Sequence, residues 1–215
     1  MSINTNEVTL VGKIESGFTF NHQFFGEGFY ATKVSIARKS GIVDYIPVIV
    51  SERLMDTSEN YTGMYIHIHG ELRSYNRTNR IGESKLKVFV APKSCELLSE
   101  EDFEAYGYTN KISLEGYVCK PIVYRKTPLT ERPISDVMVA VNRTYRKCDY
   151  VPCICWNDDA HSAYTFNEGY RIKLNGRIQS REYVKKLNET EEITRTTYEV
   201  SMSKLELVST RGAKV

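Results

Sequence analysis

The sequence lacks the motifs by which most enzymes and membrane proteins are recognised. Its five cysteines include no Cys-x-x-Cys zinc or redox spacing, and neither a Gly-x-x-x-x-Gly-Lys-Ser/Thr phosphate loop nor a Gly-x-Ser-x-Gly nucleophile elbow occurs. No apolar run approaches the roughly 18 residues of a membrane span, and no secretory signal is recognisable. We therefore expect a cytoplasmic protein with no membrane contact, no catalytic residue, no metal and no other cofactor.

Candidate metal ligands are equally few. His67 and His69 would share one face of a strand, but no third ligand has a suitable spacing. Cys153 and Cys155 also form a pair, yet the residues aligned with them in the internal repeat described next are valines. This alignment favours small apolar core positions over a metal site, and we expect the cysteines to be reduced thiols.

The chain is an internal duplication. At an offset of 105 residues, Ser35–Ser40 aligns with Ala140–Tyr145, and Asp44–Ser51 aligns with Asp149–Trp156. A chain of 215 residues can form one large domain or two of about 100 residues. The repeat favours two domains.

Each copy predicts the same small barrel. Five short segments alternate apolar and polar residues, as strands do, and the stretch between the third and fourth segments has room for one short helix. This order is typical of an OB-fold, a partly open Greek-key barrel. Pro47 and its copy Pro152 cannot donate to a strand ladder, so we expect them at a sheet edge, a bulge or the barrel opening. We predict an all-β protein with short helices and two tandem five-stranded OB-fold barrels: domain 1 at residues 1–98, an acidic linker at 99–108, and domain 2 at 109–215.

Charge is distributed unevenly between the two halves. Residues 1–104 carry 11 Lys and Arg against 14 Asp and Glu, a net charge of −3, whereas residues 105–215 carry 18 against 13, a net charge of +5. The basic character of the second half favours it as the binding site of a polyanion.

The third strand of the second copy predicts a ligand-binding face. Val151, Cys153 and Cys155 point into the core, so Tyr150 and Trp156 point outward, roughly 20 Å apart at about 3.3 Å per residue. Rings interleaved with cations suit single-stranded nucleic acid, because each base stacked on a ring is worth ~1–3 kcal/mol and the cations follow the phosphates. The turn before this strand adds Arg143, Tyr145, Arg146 and Lys147.

A second cluster follows the fourth strand of the second copy. Arg177, Gln179 and Arg181 alternate along the chain and are expected to point outward. Alone, the pattern is typical of a solvated hairpin tip; next to the rings of the preceding strand, it favours a flexible arm that contacts backbone and bases. The loop continues with Tyr183, Lys185 and Lys186.

The first copy retains only part of this surface. Ser40, Gly41 and Ile42 replace the ring and two cations of the turn, and Ser51 replaces the tryptophan. We interpret domain 2 as the main nucleic-acid site and domain 1 as an auxiliary site or an assembly module. The retained residues, predicted to form a secondary site, are Arg38, Tyr45, Arg73, Tyr75 and Arg77, with Arg80 after them.

An aromatic-rich segment of domain 1 allows two interpretations. It is either a loop that folds its rings over the barrel end or into a subunit interface, or a platform for a ligand. The rings are Phe18, Phe20, Phe24, Phe25, Phe29 and Tyr30.

These runs resemble the bacterial and phage single-stranded DNA-binding proteins (SSB). The resemblance rests on Val139–Tyr145, Asp149–Trp156 and Gly176–Tyr183, and extends more weakly over domain 1. It implies four rings that stack on bases, which are Tyr145, Tyr150, Trp156 and Tyr183.

The resemblance also implies a function and an assembly. A protein of this family is not an enzyme; it binds single-stranded DNA without sequence preference and protects it in replication, recombination or repair, which implies a location at the nucleoid. Most members have one OB domain and form tetramers, so a two-domain chain implies a homodimer with four barrels. Ser209–Val215 is short and basic and differs from the acidic tail of the family. The resemblance implies replication or recombination proteins as partners, but because of this difference we do not expect them to be recruited by that route.

The alternative from another functional class is a protein-interaction adaptor. An OB scaffold that resembles primosomal accessory proteins, or an adaptor of a phage or mobile element, would use its aromatic residues to contact a protein and would bind DNA weakly or not at all. The modest net charge of +2 and the reduced surface of the first copy favour this alternative. A steep salt dependence of oligo-dT binding would favour the DNA hypothesis.

Overall fold

The computed structural model describes residues 6–78, 82, 84–127, 130–143, 147–186 and 192–210, and its elements follow a repeated order. The first copy contains β1 (Asn6–Ile14), β2 (Thr19–Phe24), β3 (Glu27–Ala37), β4 (Val43–Ser51), β5 (Tyr65–Thr78) and β6 (Ser84–Leu98). Helix α1 (Glu100–Tyr106) leads to the second copy, which contains β7 (Thr109–Val118), β8 (Val123–Lys126), β9 (Pro133–Asn142), β10 (Cys148–Trp156), α2 (Asn157–Tyr164), β11 (Arg171–Lys186) and β12 (Glu192–Ser209).

Five strands of each copy close into a barrel. In the first barrel, β1 pairs antiparallel with β5, β5 with β6, and β3 with β4. The circuit closes where β4 meets β6 in parallel at Val48 and Val90, and where the end of β1 pairs with β3. Strands β7, β11, β12, β10 and β9 follow the same circuit in the second barrel. The prediction of two tandem OB-fold barrels is confirmed.

Two kinds of repeated residue lie where the barrels close. A Cβ atom at Gly12 would collide with the carbonyl oxygen of Ser35, and one at Gly116 would collide with that of Ala140, so glycine permits the first strand of each barrel to cross its neighbour closely. Pro47 immediately precedes the residue at which β4 meets β6. This position at the barrel closure suits a residue that cannot donate to a continuous ladder.

A continuous sheet joins the two barrels, because β1 pairs antiparallel with β7. Within the first barrel, Asn6 links β1 to β5: its Nδ2 donates to the Leu72 carbonyl at 2.7 Å, and its Oδ1 accepts from the Leu72 N–H at 2.9 Å. Asn110 makes the same two hydrogen bonds with Ile178, at 2.7 and 3.0 Å. The junction is nearly two-fold symmetric, because β1 and β7 pair with Asn6 opposite Leu114 and, equivalently, Leu10 opposite Asn110.

The buried face of β10 agrees with the alternation of its sequence. Val151, Cys153 and Cys155 are 0%, 3% and 0% exposed, and all five cysteines of the chain are free thiols. Burial raises the pKa of the Cys155 thiol to about 12. The prediction of core positions is confirmed, and the thiol is held in its neutral form.

The aromatic segment of domain 1 is a β-hairpin. Strands β2 and β3 pair antiparallel across Phe25 and Gly26, which both have positive φ angles (48° and 81°), as a type I′ turn requires. Every residue of β2 is exposed, and Phe24 and Phe25 are 61% and 92% exposed. The hairpin therefore presents several of its rings to solvent and does not fold all of them over the barrel end.

The stretch predicted to hold a helix differs between the copies. Asn157–Tyr164 forms α2, whereas residues 52–64, all of which the structure describes, contain turns and no helix. The prediction is therefore wrong for domain 1. There the side chains of Asp56 and Asn60 accept hydrogen bonds from the backbone N–H two residues later, at 3.0 and 3.1 Å. Such turns compete with helical hydrogen bonding.

The residues predicted as an acidic linker include helix α1. The Ser99 side chain accepts a hydrogen bond from the Asp102 N–H at 3.0 Å, and the acidic first turn complements the positive end of the helix. The Phe103 ring stacks on Tyr65 of β5, with 3.7 Å between centroids. The linker thus packs against the first barrel. None of the described helices is long and apolar enough to cross a membrane.

Candidate nucleic-acid interface

The β9–β10 hairpin of the second barrel carries part of the predicted site. Tyr150 of β10 is 44% exposed, and Lys147, just before the strand, is exposed. Tyr145 and Arg146, like Arg80 of the first barrel, lie outside the described residues. A ring and an ammonium group three residues apart on one hairpin can contact a base and its phosphate.

Trp156 ends β10 in a half-buried position. Its indole N–H donates to the Ser201 Oγ at 3.0 Å, and the Arg132 guanidinium lies 5.2 Å from the ring centroid. This distance is within cation–π range. The ring is therefore held at one edge by Ser201 and contacted by Arg132, which the sequence pattern did not identify.

Arg143 and Arg38 pair with buried aspartates. Arg143 Nε donates to Asp149 Oδ2 at 2.5 Å, and Arg38 donates two hydrogen bonds of 2.6 Å to Asp44. Both aspartates are 0% exposed. This arrangement differs from the phosphate-binding role predicted for these arginines, because a buried carboxylate already balances each guanidinium charge.

Each of these aspartates also ties the two barrels together. Asp44 accepts hydrogen bonds from the N–H and hydroxyl of Ser180 in the second barrel, at 2.8 and 3.0 Å. Asp149 accepts from the N–H of Ser74 in the first barrel, and Arg143 donates to the Ser74 carbonyl at 2.9 Å. Because Ser74 and Ser180 are equivalent in the repeat, the two sets of contacts follow the near two-fold symmetry of the junction.

The environment of Asp44 keeps this pair charged. Burial acts to raise the pKa of the Asp44 carboxyl, but the hydrogen bonds from Arg38 and Ser180 outweigh burial, so the pKa lies below its usual value. The hydrogen bond to Asp44 raises the pKa of Arg38 in turn. A lowered carboxyl pKa contributes stability above its ordinary value, and this contribution is lost as pH falls through the folded-state pKa.

The row of Arg177, Gln179 and Arg181 on β11 is only partly exposed. Arg177 and Arg181 are exposed, but Gln179 is 6% exposed and its amide donates to Glu199 Oε1 at 3.0 Å. Arg181 Nε lies 3.3 Å from the other oxygen of Glu199. Gln179 alternates with the core residue Ile178 and so lies on the outer face, as predicted, but a buried carboxylate on β12 holds its amide and leaves it little exposed.

The β11–β12 hairpin of the second barrel meets the β5–β6 hairpin of the first. Lys85 Nζ lies 5.7 Å from the Tyr183 ring centroid and donates to the Thr196 carbonyl at 3.3 Å. We call this contact between the two hairpins the arm junction. The side chains of Lys185 and Lys186 lie outside the described residues.

The predicted secondary site of the first barrel is partly available to a ligand. Tyr45 and Tyr75 are 47% and 42% exposed, and Arg77 is exposed. Arg73 instead reaches Asp149 of the second barrel at 3.1 Å, so it belongs to the junction between the barrels. The two rings and Arg77 are the members of this set that face solvent.

The sequence pattern did not identify Phe89 or Lys87 of β6. The Phe89 ring lies edge-on to Tyr75, with 5.8 Å between centroids, and Lys87 is the register partner of Tyr75. A signal was present in the repeat, because the first copy has Phe89 at the position where the second has Glu199. Aligning the fifth strands by register would have exposed this difference.

The histidines considered as metal ligands lie apart from any larger ligand set. The His67 ring is 5.1 Å from that of Tyr106 in α1, and His69 is exposed. Among the residues that the structure describes, no three or more His, Cys, Asp or Glu are grouped so that they could hold a metal ion.

Comparisons with known proteins agree with the two-barrel fold. Residues 109–208 match the model of the Single-strand binding protein family. The wild-type single-stranded DNA binding protein from Thermus aquaticus has a TM-score of 0.74 at 19% identity, covering 98% of this chain and 96% of that chain. A deletion mutant of the same protein has a TM-score of 0.74 at 18% identity, covering 96% of both chains. The family match confirms the resemblance for the second barrel, and the structures confirm the fold.

A third solved structure is similar to part of the chain. The N-terminal domain of PriB protein from Thermoanaerobacter tencongensis, a dimeric structure, is 35% identical over 44% of this chain and 98% of that chain, with a TM-score of 0.38. At this TM-score the likeness carries no structural argument. No curated protein matches the chain.

Proposed function

We propose that this protein, whose residues 109–208 belong to the single-strand binding protein family, binds single-stranded DNA without sequence preference. The observation that carries the proposal is the outward Tyr150 ring beside the exposed Lys147, on a barrel of that family. Trp156 and Tyr183 lie on the same barrel and extend the set of rings.

Binding in this proposal comes from stacking and from phosphate attraction. Every base has a π-face, so a stack on Tyr150 or Trp156 contributes ~1–3 kcal/mol whatever the base is. Lys147 and the exposed arginines of β11 neutralise phosphates and release counterions, which makes affinity fall as salt rises. Tyr45 and Tyr75 provide exposed rings on the first barrel.

We further propose that two chains associate and that the bound strand is protected in replication, recombination or repair. The pairing of β1 with β7 already makes each chain a two-barrel unit, so a homodimer would contain four barrels. Light scattering with and without oligo-dT measures the mass of the assembly and the number of strands bound. A monomer under both conditions would contradict the assembly proposal and leave the binding proposal intact.

The experiment that tests binding uses Trp156, the single tryptophan of the chain. Titration with a 30-nucleotide oligo-dT at low salt should quench its fluorescence to saturation, and affinity should fall steeply between 50 and 200 mM salt. A 30-base-pair duplex at the same concentration is the control. No quenching and no mobility shift with oligo-dT would falsify the proposal.

One observation favours a second candidate function, a protein-interaction adaptor. The β2–β3 hairpin exposes Phe20, Phe24 and Phe25 by 65%, 61% and 92%. Exposed apolar rings of this kind are typical of protein contact sites. An adaptor would leave oligo-dT binding absent or insensitive to salt, so the same titration separates the two candidates.

A further inference from the structure

A groove in the first barrel has a chemistry that the second barrel lacks. It encloses about 690 Å³ between the β2–β3 hairpin, the barrel strands β5 and β6, and a side chain from the second barrel. We call it the first-barrel groove. Its lining includes Phe20, His22, Tyr75, Arg77 and Phe89.

The rings of the groove are available to a flat ligand. Phe20 is 65% exposed on the hairpin side, and Tyr75 is 42% exposed on the barrel side. Tyr75 and Phe89 lie 5.8 Å apart at 66°, so each ring braces the other edge-on. Aromatic surface therefore borders the groove on two sides.

The second barrel has an ion pair where the first has these rings. Phe89 and Glu199 occupy equivalent register positions on the last strand of each barrel, and Tyr75 is equivalent to Arg181. Arg181 and Glu199 lie 3.3 Å apart. A carboxylate repels a phosphate, whereas a ring stacks on a base. At these two positions, the first barrel therefore suits a nucleotide better than the second barrel does.

Four cations, which we call the cation cluster, lie beside the groove: Arg77, Lys85, Lys87 and Arg195. Arg77 lines the groove, Lys85 and Lys87 of β6 lie opposite Arg77 and Tyr75 of β5, and Lys85 donates at 3.3 Å to the carbonyl of Thr196, which follows Arg195. Burial and the charges of Lys85, Arg77 and Arg195 lower the pKa of Lys87. Within the described part of the chain, none of the four forms an ion pair with a carboxylate. Like charges held together without a counter-charge favour an anionic ligand.

We propose that the first-barrel groove and the cation cluster form one nucleotide-binding site for single-stranded DNA, to which both barrels contribute. A base stacks on Tyr75 and Phe89, and its phosphate is bound by the cation cluster, in which Arg195 comes from the second barrel. The inference rests on the proposed function and deepens it, because a strand bound at this site crosses the arm junction from one barrel to the other. The uncompensated charge favours a phosphate-bearing strand over an apolar protein surface as the occupant.

The test compares ring variants inside and outside the groove. Phe89→Ala and Tyr75→Ala should each weaken binding of a 30-nucleotide oligo-dT about 5- to 150-fold, which corresponds to the loss of one stacked base. Phe25→Ala is the matched control, because Phe25 is 92% exposed and does not line the groove. Binding is measured by anisotropy of a labelled oligonucleotide, with thermal unfolding of each variant as the check of folding.

A cation variant keeps the test valid if a ring variant unfolds. Lys87→Ala leaves the rings in place and should reduce the slope of log affinity against log salt by about 0.7, the value for one phosphate contact on a single strand. Wild-type protein should also form photo-crosslinks between 5-iododeoxyuridine oligonucleotides and the peptides that contain Tyr75 or Phe89.

The outcomes separate this inference from the proposed function. If oligo-dT quenches the Trp156 fluorescence of the wild type, and the affinities of Phe89→Ala, Tyr75→Ala and Lys87→Ala equal that of the wild type, the inference fails and the proposed function stands. Crosslinks confined to the second barrel would overturn the inference in the same way. If the wild type does not bind oligo-dT, both fail. Unchanged binding with an altered mass of Phe89→Ala in light scattering would assign the groove to a second copy of the chain instead.

Discussion

The two barrels share a backbone and differ in the side chains that line it. The first has the ring pair Tyr75 and Phe89 where the second has the ion pair Arg181 and Glu199. The hairpin that leads into the third barrel strand shows the reverse. The second barrel has Lys147 three residues before the exposed Tyr150, whereas the first barrel has Ile42 three residues before Tyr45. The difference teaches that a duplicated backbone can present different side chains at equivalent positions, and the predictions below test which of them contact a bound strand.

The largest expected effect concerns the junction that the barrels share. Arg38→Ala leaves the buried Asp44 without its guanidinium and should lower the free energy of unfolding by about 3–5 kcal/mol. Arg143→Ala should lower it by less, because Arg73 still contacts Asp149 at 3.1 Å. Urea unfolding of the two variants measures both values. Equal losses would show that Arg73 does not substitute for Arg143.

The next effect compares equivalent rings of the two barrels. Tyr150→Ala should weaken oligo-dT binding by ~1–3 kcal/mol. Tyr45→Ala should weaken it less, because the residue three positions before the ring is Lys147 in the second barrel and Ile42 in the first. Trp156→Ala should weaken oligo-dT binding by about as much as Tyr150→Ala does. Anisotropy titrations measure all three. If Tyr45→Ala and Tyr150→Ala lose the same oligo-dT affinity, the sequence-based prediction that domain 2 is the main binding site is wrong.

A smaller effect follows from exchanging the residues that differ beside those rings. Lys147→Ile should reduce the salt slope of oligo-dT affinity by about 0.7, and Ile42→Lys should increase it by a similar amount, since each change removes or adds one phosphate contact. The double variant should restore the wild-type slope. A slope that is the same in all four proteins would mean that neither hairpin contacts the strand's phosphates.

The smallest effect is a pH dependence of stability. The pKa of Asp44 is lowered in the folded protein, so its pair with Arg38 stabilises fully above the ordinary carboxyl pKa and less as pH falls through the folded-state value. The difference in thermal midpoint between the wild type and Asp44→Asn should therefore shrink from pH 6 to pH 3. A constant difference over this range would contradict the assignment of a charged pair.

The barrels and their cores could be predicted from the sequence because they depend on local patterns. Alternation places Val151, Cys153 and Cys155 on one face of a strand, and the repeat supports the assignment by showing apolar residues at the aligned positions. The same patterns placed Tyr150 and Tyr45 outward, where the structure has them.

The parts that could not be predicted depend on contacts between distant strands. Alternation gives Gln179 the same face as its exposed neighbours on β11, but it does not show that Glu199 lies opposite on β12. Likewise the sequence around Arg143 predicts a cation in a basic turn. It does not show that Arg143 binds Asp149 and the Ser74 carbonyl of the other barrel.

By itself, the sequence determined that this protein has two barrels of one kind, which residues fill them and which strand carries outward rings, because a two-residue period and a duplication are properties of the chain. Only the tertiary structure decided which charged side chains remain available to a ligand. A charge is free or neutralised according to the groups within a few ångströms of it, and here those groups come from other strands and from the other barrel.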